Sequence, residues 1–348
     1  MSKAFVTVAA VVLSAGLMGQ PAAAQNRAQL NIYWVDSEGG GSTLIVSPSG
    51  ESVLIDAGWV NDDRDAKRIA AAAQQAGLKK IDYSVLTHYH PDHAGGLPAL
   101  AKMIPIEHCI DHGDEIEETN RRWYDVYMSV CRSKRKSVKA GDRIPIRGLQ
   151  VDIVASEGGF IAKPINGGGS NPLCASAEHK GPDDPENWRM VGTFVTFGKF
   201  TFVDLGDLNW ERELELSCPV NKLGQVTLYQ TTRHGSLDGA AAPAHLYALR
   251  PQVVVANNGP RKGLGGVVAG MPKMGKHYER LAASPGIEGI WQVHKTLLEP
   301  GNTSDDMIAN LGENAEDNGH WLRATVTRDG TLTMTNGRTG MSKSYMVR

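Results

Sequence analysis

Apolar and polar positions alternate along this chain in two rhythms, and each change of rhythm marks an element. Leu30, Ile32 and Trp34 alternate as a strand and lead into a glycine-rich loop at 37–41. Strands follow over 43–46 and 52–58, joined by a Pro-Ser-Gly turn at 48–50. Ile69, Ala72, Ala73 and Ala76 then recur at helical spacing, so 63–76 is predicted as a helix that stops at Gly77. A strand over 81–86, a helix over 96–103 and a strand over 106–110 come next. A longer helical stretch at 114–133 carries Trp123, Tyr124 and Tyr127. Strands at 143–146 and 149–154 are bounded by Gly141 and Gly148, and Pro145 puts the first at a sheet edge.

Residues 158–187 break the pattern. They are rich in Gly, Pro, Asn and Ser without periodicity, and so long a loop is usually a functional lid or disordered. Beyond it, 192–197 and 200–207 form a hairpin, followed by a helix (211–216), a strand (225–229), a helix opened by Pro243 (243–249) and a strand (252–256). A second glycine-rich loop (259–276), a helix (278–282), a strand (290–293) and a hairpin (322–328 with 331–335) complete the chain. Hairpins that open each half, followed by strand–helix alternation, predict an α/β sandwich in which two mixed sheets lie between helices.

The ends and the composition narrow the class. Lys3, the apolar run to Leu17 and Ala22-Ala23-Ala24 before Gln25 read as a signal peptide over 1–24. That leaves 25–348 as one domain with the two long loops, expected to be periplasmic or secreted. No later stretch approaches the ~18 apolar residues of a membrane span. With a formal net charge of −2, global charge supplies no case for nucleic-acid binding. The basic run at 132–136 is the local exception, either a solvated surface or a phosphate contact. Four cysteines in an exported chain allow two disulfides with three connectivities, and their spacing matches no zinc finger.

The chemistry concentrates in Thr87-His88-Tyr89-His90-Pro91-Asp92-His93-Ala94-Gly95-Gly96, directly after the 81–86 strand. Histidine and carboxylate suit zinc and similar divalent ions. In extended backbone, residues two apart share a face, so His88 and His90 can hold one ion. A turn after Pro91 would let Asp92 and His93 face a second. Asp207, at the end of the 200–205 strand, is placed to bridge two cations, in competition with Asp204. His234 follows the 225–229 strand at the same kind of strand-to-loop edge, and Asp56 is expected to orient a ligand histidine from behind. His112 and His277 are candidates for the substrate pocket, and Arg233 and Arg261 for meeting an anion.

Together these residues resemble the metallo-β-lactamase superfamily. Within it, the strongest resemblance is to the lactamase-like domain of competence-type DNA-internalisation proteins and their secreted relatives. Residues 35–42 and Leu54-Ile55-Asp56-Ala57-Gly58 resemble that family's opening motifs, Gly206-Asp207 its Thr-Gly-Asp, and His234-Gly235-Ser236 its His-His-Gly-Ser. The resemblance implies two divalent ions, zinc first among them: His88 and His90 on one, Asp92, His93 and His234 on the other, and Asp207 between. Asp92 is given a further, catalytic part in orienting water. The third ligand of the first ion is open between Asn187, His179 and water. Gly41 stands where the relatives carry an acid, and Arg233 where they carry a histidine. The implied activity is hydrolysis, with a lean to phosphodiesters. The alternatives are a carboxylic ester, lactone or β-lactam hydrolase, and a non-catalytic metal-binding protein of the same fold.

Overall fold

The computed structural model describes Met1 and residues 29–348, except 115–116, 182–183, 237–238, 265–276, 299–300 and 314–318. The signal-peptide reading and most of the second glycine-rich loop lie outside the described residues. Among those described, no helix is long and apolar enough to cross a membrane.

Two nine-stranded sheets face each other. In the first, Ser342–Met346, Thr331–Asn336, Leu322–Val326, Leu30–Trp34, Thr43–Val46 and Ser52–Ile55 pair antiparallel in that order. Ile81–Val85, Ile106–Asp111 and Arg135–Ser137 then continue it in parallel. The second sheet has Phe200–Asp204, Leu228–Gln230, Val253–Ala256, Gly289–His294 and Ile308–Asn310 in parallel. Its other side is antiparallel, through Gly192–Phe197, Gln150–Ser156 and Arg143–Ile144. The change to parallel pairing matters for function, because loops after parallel strands emerge at their carboxyl ends and can converge there.

Strand alternation builds the layers. Leu30, Ile32 and Trp34 point between the sheets and meet Phe202, Leu228, Val255 and Trp291 in one core. Tyr33, Leu44 and Leu54 face the other way, onto the helices Arg64–Gln75, Leu97–Met103 and Arg121–Cys131. Val154, Val203, Tyr229 and Val254 pack on the helix Pro243–Leu249 outside the second sheet. Each large side chain so buried stabilises the fold by roughly 1.5–3 kcal/mol. This is the α/β sandwich expected from the pattern.

One expectation needs correction, and two stretches gain detail. The helix expected over 114–133 begins only at Arg121, after a short turn of 3-10 helix at Glu118–Asn120. In the basic run, Arg132 and Lys136 are exposed, while Arg135 turns inward from an edge strand and pairs with Asp111 at 2.7 Å and with Asp114. The 158–187 segment includes, among its described residues, short paired elements. Gly159–Phe160 pairs with Gln150–Ser156, Gly169–Ser170 pairs with Val220–Asn221, and Pro185–Arg189 is a helix. Its periodicity was invisible because these pieces are too short to show a rhythm and find their partners far away in sequence.

The four cysteines pair as Cys109–Cys131 and Cys174–Cys218. The first ties a strand of the metal-side sheet to its covering helix. The second fastens the 158–187 excursion to the end of the helix Trp210–Ser217. With its cysteines 44 positions apart in sequence, the second link constrains the unfolded chain by about 4 kcal/mol. The Cys174→Ser/Cys218→Ser double variant is expected to lose several kcal/mol in urea unfolding; a loss under ~1 kcal/mol would mean the excursion is held by its other contacts.

Candidate metal centre

The ligand loop is shaped by one proline. Strand Ile81–Val85 ends before the loop, which bends at 88–89 with His90 N donating to the His88 carbonyl at 3.1 Å; His90 itself is extended (φ −108°, ψ 158°), and Pro91 opens the four-residue helix Pro91–Ala94. The expected extended backbone is thus replaced by a bend, across which His88 Nε2 lies 2.9 Å from His90 Nδ1. The helical turn swings Asp92 and His93 back into the interior, where both are buried.

Asp56, at the end of the neighbouring strand, holds the loop from behind. Its Oδ1 accepts from Thr87 N (2.8 Å), and its Oδ2 accepts from Thr87 Oγ1 (2.8 Å) and from His93 Nδ1 (2.6 Å). With Nδ1 engaged there, His93 presents Nε2 to the cavity. Gly41 explains itself here. A Cβ at that position would lie 2.7 Å from Asp56 Oδ2 and 2.8 Å from His93 Nδ1, so an acid has no room.

The second sheet contributes Asp207 and His234. Gly206 turns the chain after Phe200–Asp204 with φ +49°, and a Cβ there would press on Thr87 at 3.0 Å. Its carbonyl accepts from Arg233 N at 3.0 Å, so one glycine docks the Asp207 loop against both neighbouring loops. Arg233 and His234 adopt left-handed backbone (φ 48° and 56°), a costly conformation for residues with side chains. Buried Glu213 supports that turn, accepting from Thr232 Oγ1, from Ala241 N (3.1 Å) and from Ala242 N (2.7 Å). Asn257 Nδ2 meets His234 Nδ1 at 3.2 Å and orients the ring.

Asp92, His93, Asp207 and His234 thereby present ligand atoms that all lie within 4.8 Å of one another. His234 Nε2 is 3.1 Å from Asp207 Oδ1, 3.3 Å from Asp92 Oδ2 and 3.3 Å from His93 Nε2. His93 Nε2 is 3.4 Å from Asp207 Oδ1 and 3.5 Å from Asp92 Oδ2. Asp204 stays outside the group: it is buried, and burial pushes its carboxyl up to about 7.

Electrostatics match the geometry. Burial opposes ionisation of Asp92 and Asp207, yet His93 and His234 outweigh it and hold both carboxyls well below the usual range. Burial also opposes charge on His93, and Asp56, Asp92 and Asp207 overcome it, raising that ring well above 6.5. His88 goes the other way: burial, with His93 and His90 beside it, lowers its pKa well below 6.5 and keeps its nitrogen available.

The His88–His90 side meets the helix Pro185–Arg189. Glu186 Oε1 accepts from Tyr89 N at 2.7 Å, and Asp184 Oδ2 is 3.3 Å from His90 Nε2. Asn187 is buried with Oδ1 lacking a hydrogen-bond partner among the described residues. His179 is not brought to the site; it is exposed and pairs with Glu211 at 2.9 Å. His112 and His277 are both buried. Buried His112 meets Glu186 Oε1 at 3.0 Å and packs edge-on against Tyr89. His277 is buried with Nδ1 3.0 Å from the Ser236 carbonyl oxygen, and burial pushes it down to about 3. Arg261 faces Glu313 at 2.5 Å, away from the cluster.

Sequence reasoning missed Asp184, Glu186, Lys262 and Glu213. A signal for the first two was present: Asp184 followed by Pro185 is a capping residue and a first-turn proline, the start of a helix. Lys262 reaches Asp92 Oδ2, and Glu213 lies on an unremarkable amphipathic helix; neither has a local signature.

The buried histidines also set acid stability. His245, away from the site, has Nδ1 2.7 Å from Ser217 Oγ, and burial pushes it down to about 3. The unfolded chain therefore binds that proton more readily below 6.5, so its share of stability is full above that pH and lost as pH falls toward 3. Between pH 7 and pH 5, the wild type is expected to lose about 2 kcal/mol more than His245→Gln in urea unfolding; equal losses would clear His245 of the effect.

The donor set fits a divalent cation. Asp207 Oδ1 is buried without a hydrogen bond although two ring nitrogens crowd it, the arrangement of ligands turned to a common centre. Asp92, His93, Asp207 and His234 would hold one ion, and His88 and His90 would serve a neighbour with the unpartnered Asn187 oxygen close in sequence to Asp184 and Glu186.

The protein is thus an α/β sandwich with a buried histidine–aspartate cluster, able to hold a metal ion, at the carboxyl ends of strands from both sheets. The family model of the metallo-beta-lactamase superfamily matches residues 36–175. A UPF0173 metal-dependent hydrolase of Cupriavidus taiwanensis is 34% identical over 85 residues, 24% of this chain and 26% of that protein. A hydroxyacylglutathione hydrolase of Stenotrophomonas maltophilia is 39% identical over 62 residues, 18% of this chain and 21% of that protein. The chain thus spans about a quarter or less of the length of these relatives. The solved metallo-beta-lactamase fold protein YhfI of Bacillus subtilis aligns with 79% of this chain and 98% of its own, at 9% identity and a TM-score of 0.45.

Proposed function

We propose that this protein is an exported metal-dependent hydrolase working with two divalent ions, zinc first among them. The observation that carries this reading is the buried Asp92–His93–Asp207–His234 cluster, with His88 and His90 alongside on the same loop. When bound, such ions supply a nucleophilic water at neutral pH and Lewis-acid stabilisation of the developing oxyanion. The chain's own part is positioning: Asp56 sets the His93 ring, Glu213 sets the His234 turn, and Glu186 pins the Tyr89 backbone between His88 and His90. Asp92, at the edge of the cluster, is placed to orient the attacking water. Pairing of all four cysteines supports an oxidising, periplasmic or extracellular setting.

For substrate, the phosphodiester reading rests on the opening loop, Gly206-Asp207 and His234-Gly235-Ser236, which resemble the competence-type proteins. One observation favours the carboxylic ester, lactone or β-lactam reading. The space where those proteins place an acid is filled here by the Asp56–His93 contact. A panel of bis-aryl phosphate, aryl ester, lactone and β-lactam chromogens, with metal content measured on the same samples, separates the two. Silence across the panel with metal bound would leave a non-catalytic metal-binding protein; a silent phosphate reporter alone would remove the phosphodiester reading.

A further inference from the structure

A lysine is fastened to the rim of the metal cluster more firmly than a surface lysine needs to be. Lys262 Nζ pairs with Asp92 Oδ2, the same oxygen that lies 3.3 Å from His234 Nε2 and 3.5 Å from His93 Nε2. Its side chain is 37% exposed, against 7% for that of Asp92, so the pair joins the buried cluster to a partly exposed group.

The stem is locked along its length. Gly259 N donates to the Lys262 carbonyl at 2.7 Å and closes a turn. Gly39, in left-handed backbone (φ +88°), lies so near that a Cβ there would be 2.9 Å from Lys262 Cβ. The ammonium is also 5.2 Å from the centre of the Trp59 ring, within cation–π range. Holding a lysine in one conformation costs rotamer entropy that an ordinary surface ion pair does not repay. Asp92 Oδ2 already has two ring nitrogens within 3.5 Å, so the lysine is not its sole partner. An ammonium has three N–H donors, more than one carboxylate oxygen uses.

We propose that Lys262 is the specificity-determining residue of this site and selects a substrate bearing an anionic oxygen group, phosphoryl or carboxylate, next to the bond that is cleaved. This rests on the hydrolase reading for the identity of the site, and its test is built to fail separately.

The full-length, metal-loaded protein is titrated with inorganic phosphate and, in parallel, acetate by calorimetry, as wild type, Lys262→Gln and Lys262→Arg, with metal content measured for each. A lost charge-assisted hydrogen bond corresponds to about 10–100-fold weaker anion binding in Lys262→Gln, while Lys262→Arg keeps most of the affinity. Tighter binding of phosphate assigns a phosphoryl group, and tighter binding of acetate a carboxylate. With the chromogens, KM for the anionic substrates is expected to rise in Lys262→Gln while KM for the neutral aryl ester stays. Three results overturn the proposal: neither anion binds the wild type, Lys262→Gln binds within twofold of it, or Lys262→Gln loses metal. If no chromogen is hydrolysed but anion binding still depends on Lys262, the hydrolase reading fails and the anion site stands.

Discussion

Replacing Asp207 by asparagine is expected to lower hydrolysis at least about 100-fold and to release bound metal, while the protein stays folded. Even groups that only support metal ligands typically cost 10–100-fold when removed, so a residue at the centre of the cluster should reach or pass that range. Asp207 Oδ1 faces both His93 Nε2 (3.4 Å) and His234 Nε2 (3.1 Å), which makes it the link between the loop of the first sheet and the loop of the second. Asparagine keeps the size and one oxygen but removes the charge that offsets a cation. Elemental analysis after dialysis, with far-UV circular dichroism to verify the fold, reads the result. Retained metal and hydrolysis within a factor of a few would mean that Asp204, or no carboxylate of this strand, serves the ions.

The second large effect belongs to a residue that touches no ion. Asp56→Asn is expected to weaken apparent metal affinity by about 10–100-fold in chelator competition, the loss typical of a carboxylate behind a ligand histidine. Asp56 accepts from His93 Nδ1 at 2.6 Å and thereby leaves His93 Nε2 for the cavity; it also anchors Thr87 through two hydrogen bonds. An amide can present its oxygen to only one side of that group of donors and places its own N–H groups against the other. Some stability should be lost as well, on the order of 1–3 kcal/mol for a buried donor left unpaired. The diagnostic outcome is the pair of measurements: affinity falling while the metal-loaded fold remains. Unchanged affinity with lowered stability would make Asp56 a structural buttress without influence on the His93 ring.

The loop 87–96 was legible because its ligands are local. Three histidines and an aspartate within six positions, after an apolar strand and before Gly95-Gly96, are close enough to meet through local backbone alone: a bend at 88–89 and a helical turn after Pro91. Asp207 and His234 were legible less directly, as polar residues just past apolar strands. What the pattern could not weigh was the long segment 158–187. Its elements are two to five residues long and gain stability only from distant partners and a disulfide, so no rhythm announced them. His179 stood out there because histidine draws attention, yet it faces solvent with Glu211, while Asp184 and Glu186 reach the metal loop.

By itself, the order of residues determined the layered α/β class, the strand-to-loop positions of the chemistry and the metal character of the 87–93 loop. These follow from spacing along the backbone, which is local. Only the tertiary structure decided which residues share a centre. It joined Asp92 and His93 to Asp207 and His234, excluded Asp204, buried His112 and His277, and paired Cys109 with Cys131 and Cys174 with Cys218. It also brought Lys262 to Asp92. The reason is physical: the site lies where parallel strands of two different sheets end, and which ends meet depends on how the sheets pack across a shared core.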